Sequence, residues 1–576
     1  MLDRKQLEEL DRDIDQVTGR LAIFSRPRDI AVLHVLWLFE RYLFDHFEES
    51  TKYRRSADYP SNLANPHDWL AFALPWIFDF CSAPEKPKVY KPKGSVEAEA
   101  LELCQSASTY CDIWTMMTRL FKDWSTAHWA SDGTLVVNKV QPPGPDSTMA
   151  DYFMNAADPP EAMAAATIRS GVDRLKRIVQ KYGISRLSAQ APRMDYPNDL
   201  IDSIRQVVVA GTAHLWEFPE SWDLGGYTLH DFKAVWTSLV SISQIINTLN
   251  AADTGRKPAE STPVMGMRRW IRKVSNWSGV DACTVAQILK DITFEGVTKS
   301  KNRSRIDISI QPFIPVFEDV LVFSPALAML ANPERNILLL VNAKRPSVHA
   351  DLRNRKEELQ RRSLKEILRQ RGIYGVGPLP YTTNGKKRDL DLLLIEPAHK
   401  FAVSCELKWL NPADWLNEVI ANEEQLADGL IQARKAWKWL IAGGRQSHYE
   451  EAIQRDSVLE EGDKRLLLNE HIADYEFRPL LLSHNQIGSG FAFDPDIPIL
   501  SDRMLHWLLL DPHRLSLKGC WTVGKERRWC VQEGIHYIRS DKVNEYAGLK
   551  IRAPGQGITP REAWKPTTGF ELEGIQ

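Results

Sequence analysis

Residues 389–409 read DLDLLLIEPAHKFAVSCELKW, two apolar runs of strand length joined by the turn Pro397–Lys400. In a strand, alternate side chains share a face. Asp391, Leu393 and Ile395 therefore point one way, with Leu392 and Leu394 opposite. Glu406 and Lys408 likewise share a face, with Leu407 opposite. If strands 389–396 and 401–407 pair as a hairpin about residues 397–400, Asp391 comes level with Glu406. Two carboxylates and an ammonium then meet at one edge of a small sheet, where buried strands elsewhere stay apolar.

Around this hairpin the chain changes texture. Residues 1–82 read as helices with wide apolar faces, as in IAVLHVLWLFERYLFDHF and DWLAFALPWIFDF. The Pro/Lys-rich stretch 83–94 is an expected connector, and a second helical domain is expected over 96–289, interrupted by the loop QPPGPDS at 141–147. From 290 to 349, short β-rich runs alternate with prolines and predict a small β-containing connector unit. A long charged helix over 350–372 follows, closed by Gly372. Then come the two strands, a helix through EVIANEEQLADGLIQARKAWKWLIAGG, a strand at 476–485 and a last helix, DRMLHWLLL. That order is an α/β sandwich over 350–515, with 516–576 left as a C-terminal extension. The expected fold class is multidomain α+β, with a mostly helical N-terminal half. The Pro-rich connectors and the change near 290 suggest separable units.

Composition removes several classes of function. A chain of 576 residues with 43% hydrophobic and 26% charged residues is an ordinary folded protein. Its net charge of −2 means that any polyanion-binding surface is local. Seven scattered cysteines with no CxxC pair argue against a disulfide framework and a zinc knuckle. No signal-peptide pattern or membrane-spanning run is present, so a cytoplasmic protein without membrane contact is expected. GIYGVGPLP at 372–380 is followed by no Lys-Ser/Thr and is not a phosphate loop; HExxH and GxSxG are absent.

Two acids side by side repel and raise each other's pKa, a penalty that a hard divalent cation removes. With a lysine beside them, they form an apparatus for hydrolysing phosphodiesters. Asp391 in LDLLLI, followed by Glu406-Leu407-Lys408 in AVSCELKW, resembles the PD-(D/E)xK nuclease superfamily, which includes restriction endonucleases and Holliday-junction resolvases. The resemblance spans roughly 350–515 and implies a restriction-endonuclease-like α/β/α domain. It implies that Asp391, Glu406 and the Leu407 carbonyl bind Mg²⁺ or Mn²⁺ and that Lys408 assists the attacking water. Asp389 is either an outer ligand or an ordinary exposed acid.

The resemblance also implies a Glu on the helix before the Asp strand. Glu357, Glu358 and Glu366 compete for that place, and Glu358 is taken as the candidate. A Gln on the following helix points to Gln425 and Gln432, seven residues apart on one face. Between 351 and 388, eleven Lys/Arg face four acids, and KSKNRSR at 299–305 adds a second basic run. Arg361, Arg362, Arg369, Lys386, Lys387 and Arg388 are therefore candidates for nucleic-acid binding, with DNA favoured. The expected function is a metal-dependent endonuclease regulated by its helical half, through a protein partner or self-association, and antiviral defence is a natural setting. The alternative is a non-cleaving scaffold that binds nucleic acid or a partner.

Overall fold

The computed structural model describes residues 1–52, 66–83, 94–144, 173–252, 262–295, 311–383, 385–413, 416–442, 446–484, 486–509, 515–526, 537–546 and 548–558. Most of the 83–94 connector, the basic run 299–305 and the end of the chain lie outside the described residues. Among the described residues no helix is long and apolar enough to cross a membrane. The protein is mixed α/β, with long helices and several small sheets.

In the N-terminal half, helices Arg28–Lys52, Pro66–Phe80 and Gly94–Phe121 pack together. Their apolar residues recur at three- and four-residue spacing, and large aromatics fill the seam. Phe39 meets Trp69 edge-on, as Phe72 meets Tyr110. The expected extension is not separate. Strands Tyr537–Tyr546 and Leu549–Ile558 join Ser125–Trp129 and Leu135–Lys139 in one four-stranded sheet, with Ile551 beside Leu135. Sequence periodicity cannot reveal this, because the partners stand more than 400 residues apart.

The expected boundary near 290 also disappears into a core. Strand Val264–Gly266 pairs with Val320–Phe323, which pairs with Phe313–Phe317. Phe313 and Phe323 pack on Trp270, from helix Met267–Ser278. The small strand unit thus shares its hydrophobic core with the helices before it.

The α/β module opens with α1 (Pro346–Arg369), which has proline at its first turn and ends just before Gly372, whose φ is +71°. Its strands are β1 (Tyr374–Val376), β2 (Leu379–Thr383), β3 (Lys386–Leu390), β4 (Leu392–Glu396), β5 (Phe401–Trp409), β6 (Glu476–His484) and β7 (Ile499–Ser501). Between β5 and β6 run α2 (Leu416–Ile441), α3 (Gln446–Arg455) and α4 (Glu461–Leu468); α5 (Asp502–Leu509) and α6 (Leu517–Glu526) follow β7. The main sheet has order β7-β6-β5-β4-β1. β5 is antiparallel to β4 and parallel to β6, and the parallel pairing needs the long crossover through α2.

Leu407, Cys405 and Val403 on one face of β5 share a core with Leu364 and Leu368 of α1 and with Cys520 and Trp521 of α6. On the other face, Ala402 shares a core with Ala436 and Leu440 of α2 and with Ile453 of α3. Helices cover both faces, and α6 places the module's end beyond the expected residue 515.

The hairpin predicted at 397–400 is present, turning through Lys400 at φ +48° and pairing Cys405 with Leu392. The strand expected over 389–396 is interrupted at Asp391. Upstream of it, β3 pairs with β2 in a separate ribbon; downstream, β4 enters the main sheet. A Cβ on Gly377 (φ +146°) would stand 2.9 Å from the Asp391 carbonyl oxygen, so this crossing of backbones requires glycine.

Candidate functional site

The interruption at Asp391 and the C-terminal end of β5 lie side by side. One step beyond the Cys405–Leu392 pair, Asp391 sits beside Glu406, and its Oδ2 accepts the Leu407 N–H at 2.8 Å. Glu406 is buried, and its Oε1 accepts a hydrogen bond from Lys408 Nζ at 2.6 Å. Lys408 also donates to Gln432 Oε1 at 3.2 Å, from α2 above this face. α2 comes this close because of Gly429: a Cβ there would lie 3.0 Å from Lys408 Cε and 2.7 Å from Leu481 Cδ1.

Burial and mutual repulsion act on the carboxyls together. Burial chiefly, then the charge of Asp391, pushes Glu406 up to about 7, although Lys408 opposes both. Asp391 is also raised, mainly by burial, against the pull of the Leu407 N–H, Lys408 and Arg361. Glu357 is raised by burial and then by Asp391, and its charge in turn reaches Glu406. Three carboxyls therefore share this end of the sheet with one lysine, and neutrality is incomplete.

Of the glutamates on α1, the fold brings Glu357 to the site and not Glu358. Leu352, Lys356, Gln360, Leu364, Lys365 and Leu368 are the buried residues of the helix, most of them in one stripe. At about 100° per residue, Glu357 lies near that stripe and Glu358 lies almost opposite. Glu358 is exposed and pairs with Arg361. Gln425 is also exposed and bonds back to Ala421 O at 3.4 Å, so of the two glutamines only Gln432 reaches the cluster. The Leu407 side chain is buried on the opposite face, and its amide serves Asp391. Asp389 is exposed on β3, although its charge raises Asp391.

No family model, curated protein or solved structure matches the chain.

Among the described residues no three His, Cys, Asp or Glu side chains already form a ligand cage. The donor chemistry nonetheless suits a hard divalent cation. Asp391 Oδ1 and Glu406 Oε2 have no hydrogen bond among the described residues, and Mg²⁺ takes one or two carboxylates and fills its remaining positions with water.

The candidate basic residues separate into two groups. Arg361 pairs with Glu358, Arg362 with Glu366, and Arg369 with Glu460 and Asp463. Arg362 and Arg369 are thus held by acids on the far side of α1, while Arg361 is close enough to lower both Asp391 and Glu357. The side chains of Lys386, Lys387 and Arg388, on β3, make no ion pair or hydrogen bond among the described residues.

Tyr381 was not singled out by sequence. It lies on β2 opposite Arg388, is buried against Trp439 and is raised by burial and then by Glu406. The signal for its ribbon is Asn384-Gly385 between alternating residues, a strong hairpin dipeptide.

Beyond Lys408, Trp409 stacks on His484 of β6 and packs on Phe218 of the N-terminal half. His484 bridges Asp502 at 2.9 Å and Glu217 at 3.1 Å. Buried Glu334 accepts the Glu217 and Phe218 amides, and Lys356, next to Glu357, lies over the Phe218 ring and donates to Asn411. The helical half thus grips the module where the motif strand ends.

Proposed function

We propose that this chain is a metal-dependent nuclease that hydrolyses phosphodiester bonds, with Asp391, Glu406, Glu357, Lys408 and Gln432 at its centre and the helical half restraining it. The observation that carries the reading is the convergence of Asp391 and Glu406 at one sheet end, with Lys408 bonded to Glu406 at 2.6 Å. Three carboxyls held near one another in a buried place cost stability, and strongly perturbed groups of this kind concentrate at functional sites. Asp391 and Glu406 would hold Mg²⁺ or Mn²⁺, with Glu357 adding charge. Such a cation, when bound, lets the acids ionise and supplies Lewis acidity toward a phosphoryl oxygen.

The chain's own groups supply the rest. The Lys408 amine, oriented by Glu406 and Gln432, donates a hydrogen bond toward a phosphate oxygen or the attacking water. The burial that raises Glu406 also excludes bulk water and strengthens these interactions. In the overall reaction a water oxygen bonds to phosphorus, one ester P–O bond breaks, and the departing oxygen gains a proton. DNA is the favoured substrate.

Purified protein incubated with plasmid, linear duplex, single strand and RNA tests the reading, with Mn²⁺ or with EDTA. Cleavage should require the cation and vanish in Asp391→Ala and Glu406→Ala. Equal cleavage by wild type and both variants would exclude the site.

A further inference from the structure

The module's basic residues divide by whether a carboxylate already holds them, and that decides which can hold a polyanion. On α1, Arg355 pairs with Asp351, and Arg361, Arg362 and Arg369 each have acid partners. Lys365 is buried against Asp456 and the Gly377 carbonyl, and Lys356 is buried beside Phe218. A phosphate approaching this helix must displace a partner from most of its cations; of the eight in 351–371, only the exposed Arg353 and Arg371 have no side-chain ion pair or hydrogen bond among the described residues. The apparent basicity of 351–371 is largely spent inside the protein.

The ribbon β2–β3 is different. Its base is rigid: Leu379 pairs with Leu390, both are buried, and Tyr381 stacks on Trp439 with 5.1 Å between ring centroids. On this anchored base, Lys386 and Lys387 are exposed and Arg388 is half-buried, all three without ion pairs among the described residues. Asp389, next to Arg388 on the same strand, forms no ion pair with them among the described residues. The strand runs straight into Asp391. A chain spans at most about 3.4 Å per residue, so Arg388 lies within about 10 Å of Asp391 and Lys386 within about 17 Å. One nucleic-acid strand rises about 3.4 Å per nucleotide, so these cations reach phosphates up to about five nucleotides from the site.

We propose that the ribbon Leu379–Leu390 is the arm that holds the nucleic-acid backbone on one side of the cleavage site. Lys386, Lys387 and Arg388 contact phosphates, and α1 does not. The position of the arm relative to a cut rests on the nuclease reading; the binding itself does not.

The test uses the full chain in EDTA with a fluorescein-labelled oligonucleotide, single-stranded and duplex, and reads anisotropy from about 50 to about 200 mM salt. In Lys386→Gln/Lys387→Gln/Arg388→Gln, the slope of log K against log salt should flatten by about 2 on the single strand and nearly 3 on the duplex for three lost contacts. The charge-conserving Lys386→Arg/Lys387→Arg/Arg388→Lys should keep the wild-type slope. An unchanged slope in the Gln variant, or no binding by the wild type, overturns the arm. Binding with the expected slope change but without Mn²⁺-dependent cleavage by the wild type overturns the nuclease reading alone and leaves the arm standing.

Discussion

Trp409 stacks on His484 with 3.8 Å between ring centroids and 28° between planes, one residue past Lys408. The motif strand therefore ends inside a clasp, whose other members are Glu217 and Phe218 of the N-terminal half and Glu334 of the helix Pro333–Lys344. Burial alone would lower His484, but its bonds to Asp502 and Glu217 outweigh burial and raise it to about 9. A raised folded-state pKa contributes stability below the unfolded value, near 6.5, and that contribution is lost as pH rises through about 9. Glu334, raised to about 7 chiefly by burial, has the same sign over a lower window, from 4.5 to about 7. Thermal stability of the wild type should fall from about pH 7 to about pH 9, and His484→Gln should start lower and lose most of that slope. Parallel curves for the two proteins would mean that His484 does not titrate in the clasp.

Removing residues 1–290 takes away Glu217, Phe218 and Trp270, and with them the cover over Trp409 and the partners of Phe313 and Phe323. The remaining fragment should be insoluble or bind hydrophobic dyes, contrary to the separable units that the connectors suggest. A soluble fragment with a sharp thermal transition would show that the module folds alone.

Glu406 is a destabilising group in the metal-free protein. Its pKa is raised from 4.5 to about 7, so its contribution is present below about 4.5 and is lost as pH rises through about 7. Glu406→Gln should stabilise the metal-free chain at pH 8 by about 3 kcal/mol or less, since 1.4 kcal/mol accompanies each pKa unit. Mg²⁺ or Mn²⁺ should raise the melting temperature of the wild type and leave that of Glu406→Gln unchanged. Differential scanning fluorimetry with and without the cation reads both effects.

Gly429 and Lys408 allow position to be separated from presence. Gly429→Ala puts a methyl group 3.0 Å from Lys408 Cε and 2.7 Å from Cδ1 of the fully buried Leu481. Helix propensity favours alanine over glycine by about 1 kcal/mol, which offsets part of the roughly 1–3 kcal/mol that crowding a buried core position costs, so a small net loss of stability is expected. Turnover should fall as the amine is displaced, while cation binding persists, as it should in Lys408→Ala. Wild-type turnover in Gly429→Ala would show that the Gln432–Lys408 contact is dispensable.

Arg362→Gln/Arg369→Gln should leave the salt dependence of nucleic-acid binding unchanged, because both guanidiniums already hold Glu366, Glu460 and Asp463. A small loss of thermal stability is the expected effect, as surface ion pairs contribute little. A flattened slope would return the phosphate contacts to α1.

The hairpin and its chemistry were legible because they are local. A four-residue turn between two apolar runs forces register, and register alone brings Asp391 level with Glu406. The choice between Glu357 and Glu358 was legible in principle: most of the buried stripe recurs every fourth residue, but three of the six buried residues, Lys356, Gln360 and Lys365, are polar and disguise it. The same disguise made α1 look like a basic surface. Counting charges does not show that Asp456, Glu460 and Asp463, about a hundred residues later, already pair with Lys365 and Arg369.

By itself, then, the sequence determined α1, α2 and α5, the strands β5 and β6, the turn at 397–400, the shared face of Glu406 and Lys408, and the lack of HExxH, GxSxG and phosphate-loop motifs. These follow from periodicities of two and 3.6 residues, which act over a few turns of chain. Only the tertiary structure decided that Glu357 and Gln432 complete the cluster, that the ribbon keeps three adjacent cations without ion pairs while most of those on the helix are paired, and that residues 217–218 and 334 clasp the end of the motif strand. Each depends on contacts between segments far apart in the chain, and burial sets their energies through the desolvation of a few charges, which no local pattern records.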